Sequence, residues 1–233
     1  MLEMRNITPE EFLPWLSAES RAHGNRLNHD PEVLRPTFDL DRSIAVFEEG
    51  QIVGGAYSHH VSISTPGSSA IVAGVSNVAV QPTHRRRGVM TQMMQHQLQD
   101  VHDREEPLAA LFASESLIYG RFGYGVGSLY EQWSIPREHN SFAQPSNDNG
   151  HITFVHPLDI PTILPNISKQ STADRPGVFQ KPMHQWQQES QAPEHLEGGS
   201  GGLFYACYQN DNVPEGYVIY RIHDRVLHVV ELM

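Results

Sequence analysis

Residues 75–125 constrain the fold more than any other part of this chain. They open V-S-N-V-A-V-Q-P-T-H-R-R-R-G-V-M-T-Q-M-M and close L-A-A-L-F-A-S-E-S-L-I-Y-G-R-F-G-Y-G. Residues 71–80 are apolar and β-branched, which predicts a strand. Pro82 and Thr83 mark a turn, followed by a basic corner at residues 85–88. Met90, Met94, Leu98 and Val101 then recur at steps of 4, 4 and 3, one face of a helix. Residues 108–113 form a short unbroken apolar run, as in a buried parallel strand. Strand, crossover helix and strand make a βαβ unit of right-handed connection. The fold class is therefore α/β, with a mixed sheet.

The corner carries the chemistry. Backbone N–H groups at a helix start have no intrahelical acceptor, and the helix dipole favours an anion there. Gly88 has no Cβ to hold a ligand away, and Arg85, Arg86 and Arg87 add positive charge. A solvated basic turn that merely starts a helix accounts for the same residues. No Gly-Lys-Ser/Thr follows the corner, which argues against a nucleotide P-loop, and the absence of G-x-G-x-x-G argues against a dinucleotide fingerprint.

Arg85-Arg86-Arg87-Gly88-Val89-Met90 resembles motif A of the GNAT acetyltransferases, R/Q-x-x-G-x-G/A, with Met90 at the last small position. The wider strings V-A-V-Q-P-T-H-R-R-R-G and A-S-E-S-L-I-Y-G-R-F-G-Y-G are similar to the Eis (enhanced intracellular survival) family within that superfamily. The resemblance implies a GNAT fold, acetyl-CoA as co-substrate, and transfer of acetyl groups to amines. Relatives in the family acetylate aminoglycosides or protein lysines, so a small cationic amine is the implied substrate class.

By resemblance, the backbone of Val78, Ala79 and Val80 holds the acetyl-pantetheine arm like an added strand. The Val78 amide faces the thioester oxygen. Backbone groups of Arg86, Arg87, Gly88, Val89, Met90 and Thr91 hold the pyrophosphate. Ser114 and Glu115 border the arm from the next strand. Tyr119 is the implied general acid, since a phenol of pKa near 10 protonates a leaving thiolate. Spacing alone does not choose between Tyr119 and Tyr124. The family's general base is the carboxylate that ends its full-length chain, which Met233 does not match; Glu115, Asp39 or a water chain are the substitutes.

The 233 residues suffice for one large or two small domains. Sixteen basic against 27 acidic side chains give a net charge of −11, which argues against nonspecific nucleic-acid or anionic-membrane binding and is compatible with a cationic substrate. The one cysteine, Cys207, forms no internal disulfide and fits a reducing cytoplasm. The first residues carry no secretory signal, and no apolar run approaches the length that spans a membrane.

Taken in order, residues 2–7 predict a strand. Thr8-Pro9-Glu10-Glu11 is a capping box for a helix that Pro14 is expected to kink or break. Asp30-Pro31-Glu32 starts a second helix, and strands follow at 44–47 and 52–64. A strand at 129–135 is expected to close a first domain over residues 1–136, containing the acetyl-CoA site. Residues 137–150 read as a linker. Residues 151–233 then repeat the first order: a strand at 152–155, helices at 157–169 and 182–191, a turn at 197–202, and strands at 203–208, 217–222 and 226–232. This implies a partial second GNAT-like unit. It has no counterpart of the Arg85 corner, so the chain reads as truncated inside that unit, with residues 226–233 a raw edge. A homo-oligomer is expected of the complete family chain. His59 and His60 point to opposite strand faces, His96 and His102 share no helix face, and no metal centre is expected. Two functions follow: an acetyl-CoA-dependent N-acetyltransferase, or a catalytically incomplete acyl-CoA-binding or assembly module.

Overall fold

The computed structural model of the chain describes residues 2–27, 31–113, 115–129, 131–144, 148–191 and 202–233. The chain forms two compact units, residues 1–62 with 70–125, and residues 63–69 with 126–233.

The first unit contains β1 (Leu2–Arg5), α1 (Phe12–Ala22), α2 (Pro31–Leu34), β2 (Ser43–Glu48), β3 (Gln51–Thr65), β4 (Ser68–Val80), α3 (Val89–Asp103) and β5 (Ala109–Ala110). Its sheet order is β1-β2-β3-β4-β5, antiparallel at β1–β2 and β2–β3 and parallel at β4–β5. Helices cover both faces, so β2 reads as an unbroken apolar run. Ala45 and Phe47 pack with Phe12, Trp15 and Leu16 of α1, while Ile44 and Val46 pack with Val89 and Met93 of α3. Gly54 and Gly55 on β3 give each helix its close approach. A Cβ on Gly54 would lie 3.1 Å from Val89 and Met93, and one on Gly55 would lie 2.5 Å from the Trp15 ring nitrogen.

Local signals explain the ends of these elements. The Glu11 carboxylate accepts from Arg5 at 2.7 Å and from the Thr8 N–H at 2.9 Å; Arg5 first and the Thr8 N–H second hold its pKa down at about 2. Pro14 does not break α1. It falls in the first turn, after a 3-10 turn at Pro9–Glu11, where its missing N–H forfeits little. Pro31 begins α2; Asp30 lies outside the described residues. The buried face of α3 is Val89, Met93, Met94, Gln97 and Val101. Met90 and Leu98, expected at the centre of the apolar stripe, sit at its margin. Gln97 is 1% exposed, and its side-chain amide has no partner among the described residues.

The second unit contains β6 (His151–Phe154), α4 (Ile160–Thr172), β7 (Phe179–Gln180), α5 (Met183–Gln191), β8 (Phe204–Asn210), β9 (Val213–His223) and β10 (Val226–Leu232). Its four-stranded sheet has the order β10-β9-β8-β6, the order of β4-β3-β2-β1 in the first unit. The expected repeat is thus present in topology. Ile160, Leu164 and Ile167 of α4 and Trp186 of α5 cover the face formed by Tyr205, Cys207, Tyr217 and Ile219. Residues 63–69 join this unit as the tip of the β3–β4 hairpin, where Ser64 exchanges backbone hydrogen bonds with Val178 and Gly177.

Two expected strands differ. Among the described residues the run 108–113 is in strand only at Ala109 and Ala110, with the Leu108 carbonyl accepting from the Ala73 N–H at 2.9 Å, and Phe112 is 91% exposed. The run 129–135 forms no strand among its described residues; Leu129, Trp133 and Ile135 are exposed, because an apolar pattern makes a strand only where a ladder edge accepts it. Most of the expected 197–202 turn lies outside the described residues.

Candidate active site

The short β5 has its counterpart in β4. Asn77 sits inside β4 at φ 54°, a left-handed conformation that Asn tolerates better than most residues. Ser76 donates to its side-chain oxygen at 2.7 Å. This irregularity shifts the strand's alternation, so Val75 and Val78, three apart, pack into the same cluster with Met90 and Met94 of α3. The β4–β5 ladder ends at Gly74 and Ala110. β3 accompanies β4 to its end, with the Gln81 N–H donating to Val53 at 2.9 Å. On the β5 side, Val78, Ala79 and Val80 therefore present backbone with no strand partner among the described residues.

The basic corner follows at once. Arg86 has φ 61° and Gly88 φ 79°. A Cβ on Gly88 would meet nothing closer than 4.0 Å, so the backbone conformation, not space, calls for glycine. The first amide in this region to find a backbone acceptor is Gln92, which donates to Gly88 at 3.1 Å. Among the described residues the N–H groups from Arg86 to Thr91 donate to no protein acceptor, and no side chain caps α3. Successive free amides around left-handed residues form a nest for an anion, added to the helix dipole.

The three arginines separate by partner. Arg85 donates to the Ala22 carbonyl at the end of α1, at 3.1 Å. Arg87 makes a forked pair with Glu48, at 3.0 and 2.5 Å. Arg86 is exposed and makes no hydrogen bond or ion pair among the described residues.

Tyr119 is 9% exposed and packs with Val75 and Met94, its ring edge-on to Tyr124 at 5.8 Å. Burial raises its pKa. Tyr124 is pushed up to about 12, by burial first and Tyr119 second. The two hydroxyls differ: that of Tyr124 is sealed from solvent with no hydrogen-bond partner among the described residues, while that of Tyr119 is not sealed. Glu115 is exposed on the segment after β5, and Ser114 lies outside the described residues. The Asp39 carboxylate accepts from the Asp41 N–H at 3.1 Å, as a cap. No group of three metal-ligating side chains occurs among the described residues, and none of their helices is long and apolar enough to cross a membrane.

A cavity of about 620 Å³ lies at the other end of β4, lined by Arg42, His60, Ile71 and Glu106 among others, and contains none of these site residues. Arg42 and Glu106 form a buried pair there at 2.7 Å, which reads as structural.

Sequence reasoning missed the Asn77 irregularity and the tie between Glu48 and Arg87. An Asn inside a β-branched run was the available signal for the first. The second joins residues 39 apart, and no local pattern announces it.

The chain matches the GNAT acetyltransferase domain over residues 3–127, and a second GNAT acetyltransferase domain over residues 177–233. It is 30% identical to an uncharacterized N-acetyltransferase of Streptomyces griseus, over 96% of this chain and 56% of that protein. It is 30% identical to the N-acetyltransferase Eis of Mycobacterium tuberculosis, over 74% of this chain and 43% of that protein. The solved structure of Eis1 from Mycobacterium abscessus superposes with a TM-score of 0.79 at 26% identity, covering 100% of this chain and 58% of that one. The chain thus spans about half the length of the curated relatives it matches. Its two GNAT matches, the repeated sheet order and these likenesses agree: the chain belongs to the GNAT acetyltransferase family and resembles Eis within it.

Proposed function

We propose that this chain carries the acetyl-CoA site of an N-acetyltransferase that acts on amines of a cationic substrate, of aminoglycoside or lysine type. One observation supports this above the rest: the β5-side edge of Val78–Val80, without a strand partner among the described residues, leads directly into the N–H groups of Arg86–Thr91, which donate to no acceptor among them. An acyl-pantetheine arm offers amide groups to such an edge, and its pyrophosphate suits such a nest.

In this reading the Val78 N–H donates to the thioester oxygen and stabilises the charge that develops there. Arg86 supplies the free cation at the phosphates. Tyr119 holds a proton for the departing sulfur; burial keeps the phenol protonated at neutral pH, and its hydroxyl is not consumed by another bond. The net charge of −11 supports a cationic acceptor in a general way.

A second reading, an acyl-CoA-binding module without turnover, is favoured by the placement of the two carboxylates considered as base. Asp39 serves as a cap, and Glu115 is solvent-exposed with its carboxylate free of any fixed partner among the described residues. Calorimetry with CoA and with ATP tests the site: binding of CoA but not ATP is expected, and equal binding of the two would overturn it. Release of free thiol from acetyl-CoA in the presence of an aminoglycoside then separates the enzyme from the module.

A further inference from the structure

We propose that Glu48 is a positioning residue for the phosphate corner, holding the backbone around Arg86 in its anion-binding shape by tying down His84 and Arg87. The inference rests on the reading of the corner as the phosphate site of CoA. A carboxylate beside an anion site should by its charge alone weaken that site. Glu48 ends β2, and its side chain is 25% exposed. It accepts from both terminal nitrogens of Arg87, at 3.0 and 2.5 Å, and lies 2.8 Å from Nε2 of His84. Nδ1 of His84 in turn lies 2.7 Å from the Thr83 hydroxyl. Arg87 first, and His84 second, hold the Glu48 carboxyl down at about 2, so it is ionised throughout the neutral range.

These contacts place fixed points on either side of Arg86. That residue carries a Cβ, yet sits at φ 61°, a conformation it would leave if the loop were free. The local backbone supplies little restraint: His84 donates to Gln81 at 2.8 Å, and among the described residues the next backbone bond is that of Gln92 to Gly88. Glu48 therefore contributes pre-organisation. It also commits the Arg87 side chain, leaving the phosphates to the backbone nest and to Arg86.

The rival account, in which Glu48 merely masks Arg87, predicts the opposite sign. Removing a masking acid frees a cation and tightens binding; removing a positioning acid loosens it. The test is CoA calorimetry on the full chain for wild type, Glu48→Ala, Arg87→Ala and the double variant. Each single variant is expected to bind CoA about tenfold more weakly. The double is expected to be little worse than either single, because both remove one contact. Thermal midpoints should stay near wild type. Pantetheine, which has the arm but no pyrophosphate, should shift the Val78–Val80 amides equally in wild type and Glu48→Ala. A Glu48→Ala protein that binds CoA as tightly as wild type or more tightly overturns the proposal. So does a loss that falls equally on pantetheine. If Glu48→Ala does not fold, Glu48→Gln, of the same shape, should show a smaller loss of the same sign, and tighter binding there would overturn it equally. Wild type that fails to bind CoA would instead overturn the phosphate-site reading itself.

Discussion

Tyr119 and Tyr124 share a cluster and a ring contact, so packing does not distinguish them. Their hydroxyls do. A sealed, unpartnered phenol cannot deliver a proton without moving, and the Tyr119 hydroxyl is not among the sealed, unpartnered groups. Tyr119→Phe should keep CoA affinity and lower the transfer rate by roughly a hundred- to ten-thousand-fold, the range of general-acid catalysis. Tyr124→Phe should remain near wild type in rate. It removes an unsatisfied buried group, so its thermal midpoint should hold or rise. Equal rates for both variants, with chemistry limiting, would remove Tyr119 from the mechanism. The pH dependence follows from the same burial. A raised pKa keeps the phenol protonated to higher pH, so the acid is competent below its folded-state value and is lost as pH rises through it. The alkaline limb of the kcat profile set by this group should lie above the ordinary phenol value of about 10.

At the scale of elements, the decisive feature is where β4 and β5 part. Asn77 breaks the alternation of β4, and pairing with β5 stops at Gly74. Asn77→Val places a β-branched residue in the left-handed region. It should cost about 1–2 kcal/mol, and CoA affinity should fall as the strand straightens. Asn77→Gly should retain affinity; a Val variant of unchanged stability and affinity would show that the irregularity does not shape the site. This also marks how far the sequence could be read. Strand, corner and helix at residues 71–101 were legible, because their cues are local: a β-branched run, a glycine after three arginines, and spacings of three and four. The ends of β5 and the fate of residues 129–135 were not legible. Ala109 and Ala110 pair with β4 while Trp133 lies in no strand among the described residues, a choice made by the neighbouring edge and not by their own pattern. Similarly, the motif located all three arginines, but only the fold assigns Arg85 to α1 and Arg87 to Glu48 and leaves Arg86 without a partner among the described residues.

At the scale of the molecule, one sheet order occurs twice, and the residues proposed for cofactor chemistry all belong to the first unit. The second unit is held by its own cluster, in which Leu164 is fully buried against partners including Ile160 and Trp186. Leu164→Ala should destabilise that unit by about 2–5 kcal/mol, seen as an earlier unfolding transition, as for other buried leucines. Denaturation unchanged by the substitution would deny Leu164 its place in a core. For the first unit we propose that the β5-side edge of β4 at Val78–Val80 and the N–H groups of Arg86–Thr91, without protein partners among the described residues, form one continuous site for acyl-CoA. Following backbone amide chemical shifts while CoA is added tests it most directly. The largest changes should fall on Val78–Val80 and Arg86–Thr91. Changes centred instead on the cavity beside Arg42 and His60, or on the second unit, with residues 78–91 undisturbed, would contradict it.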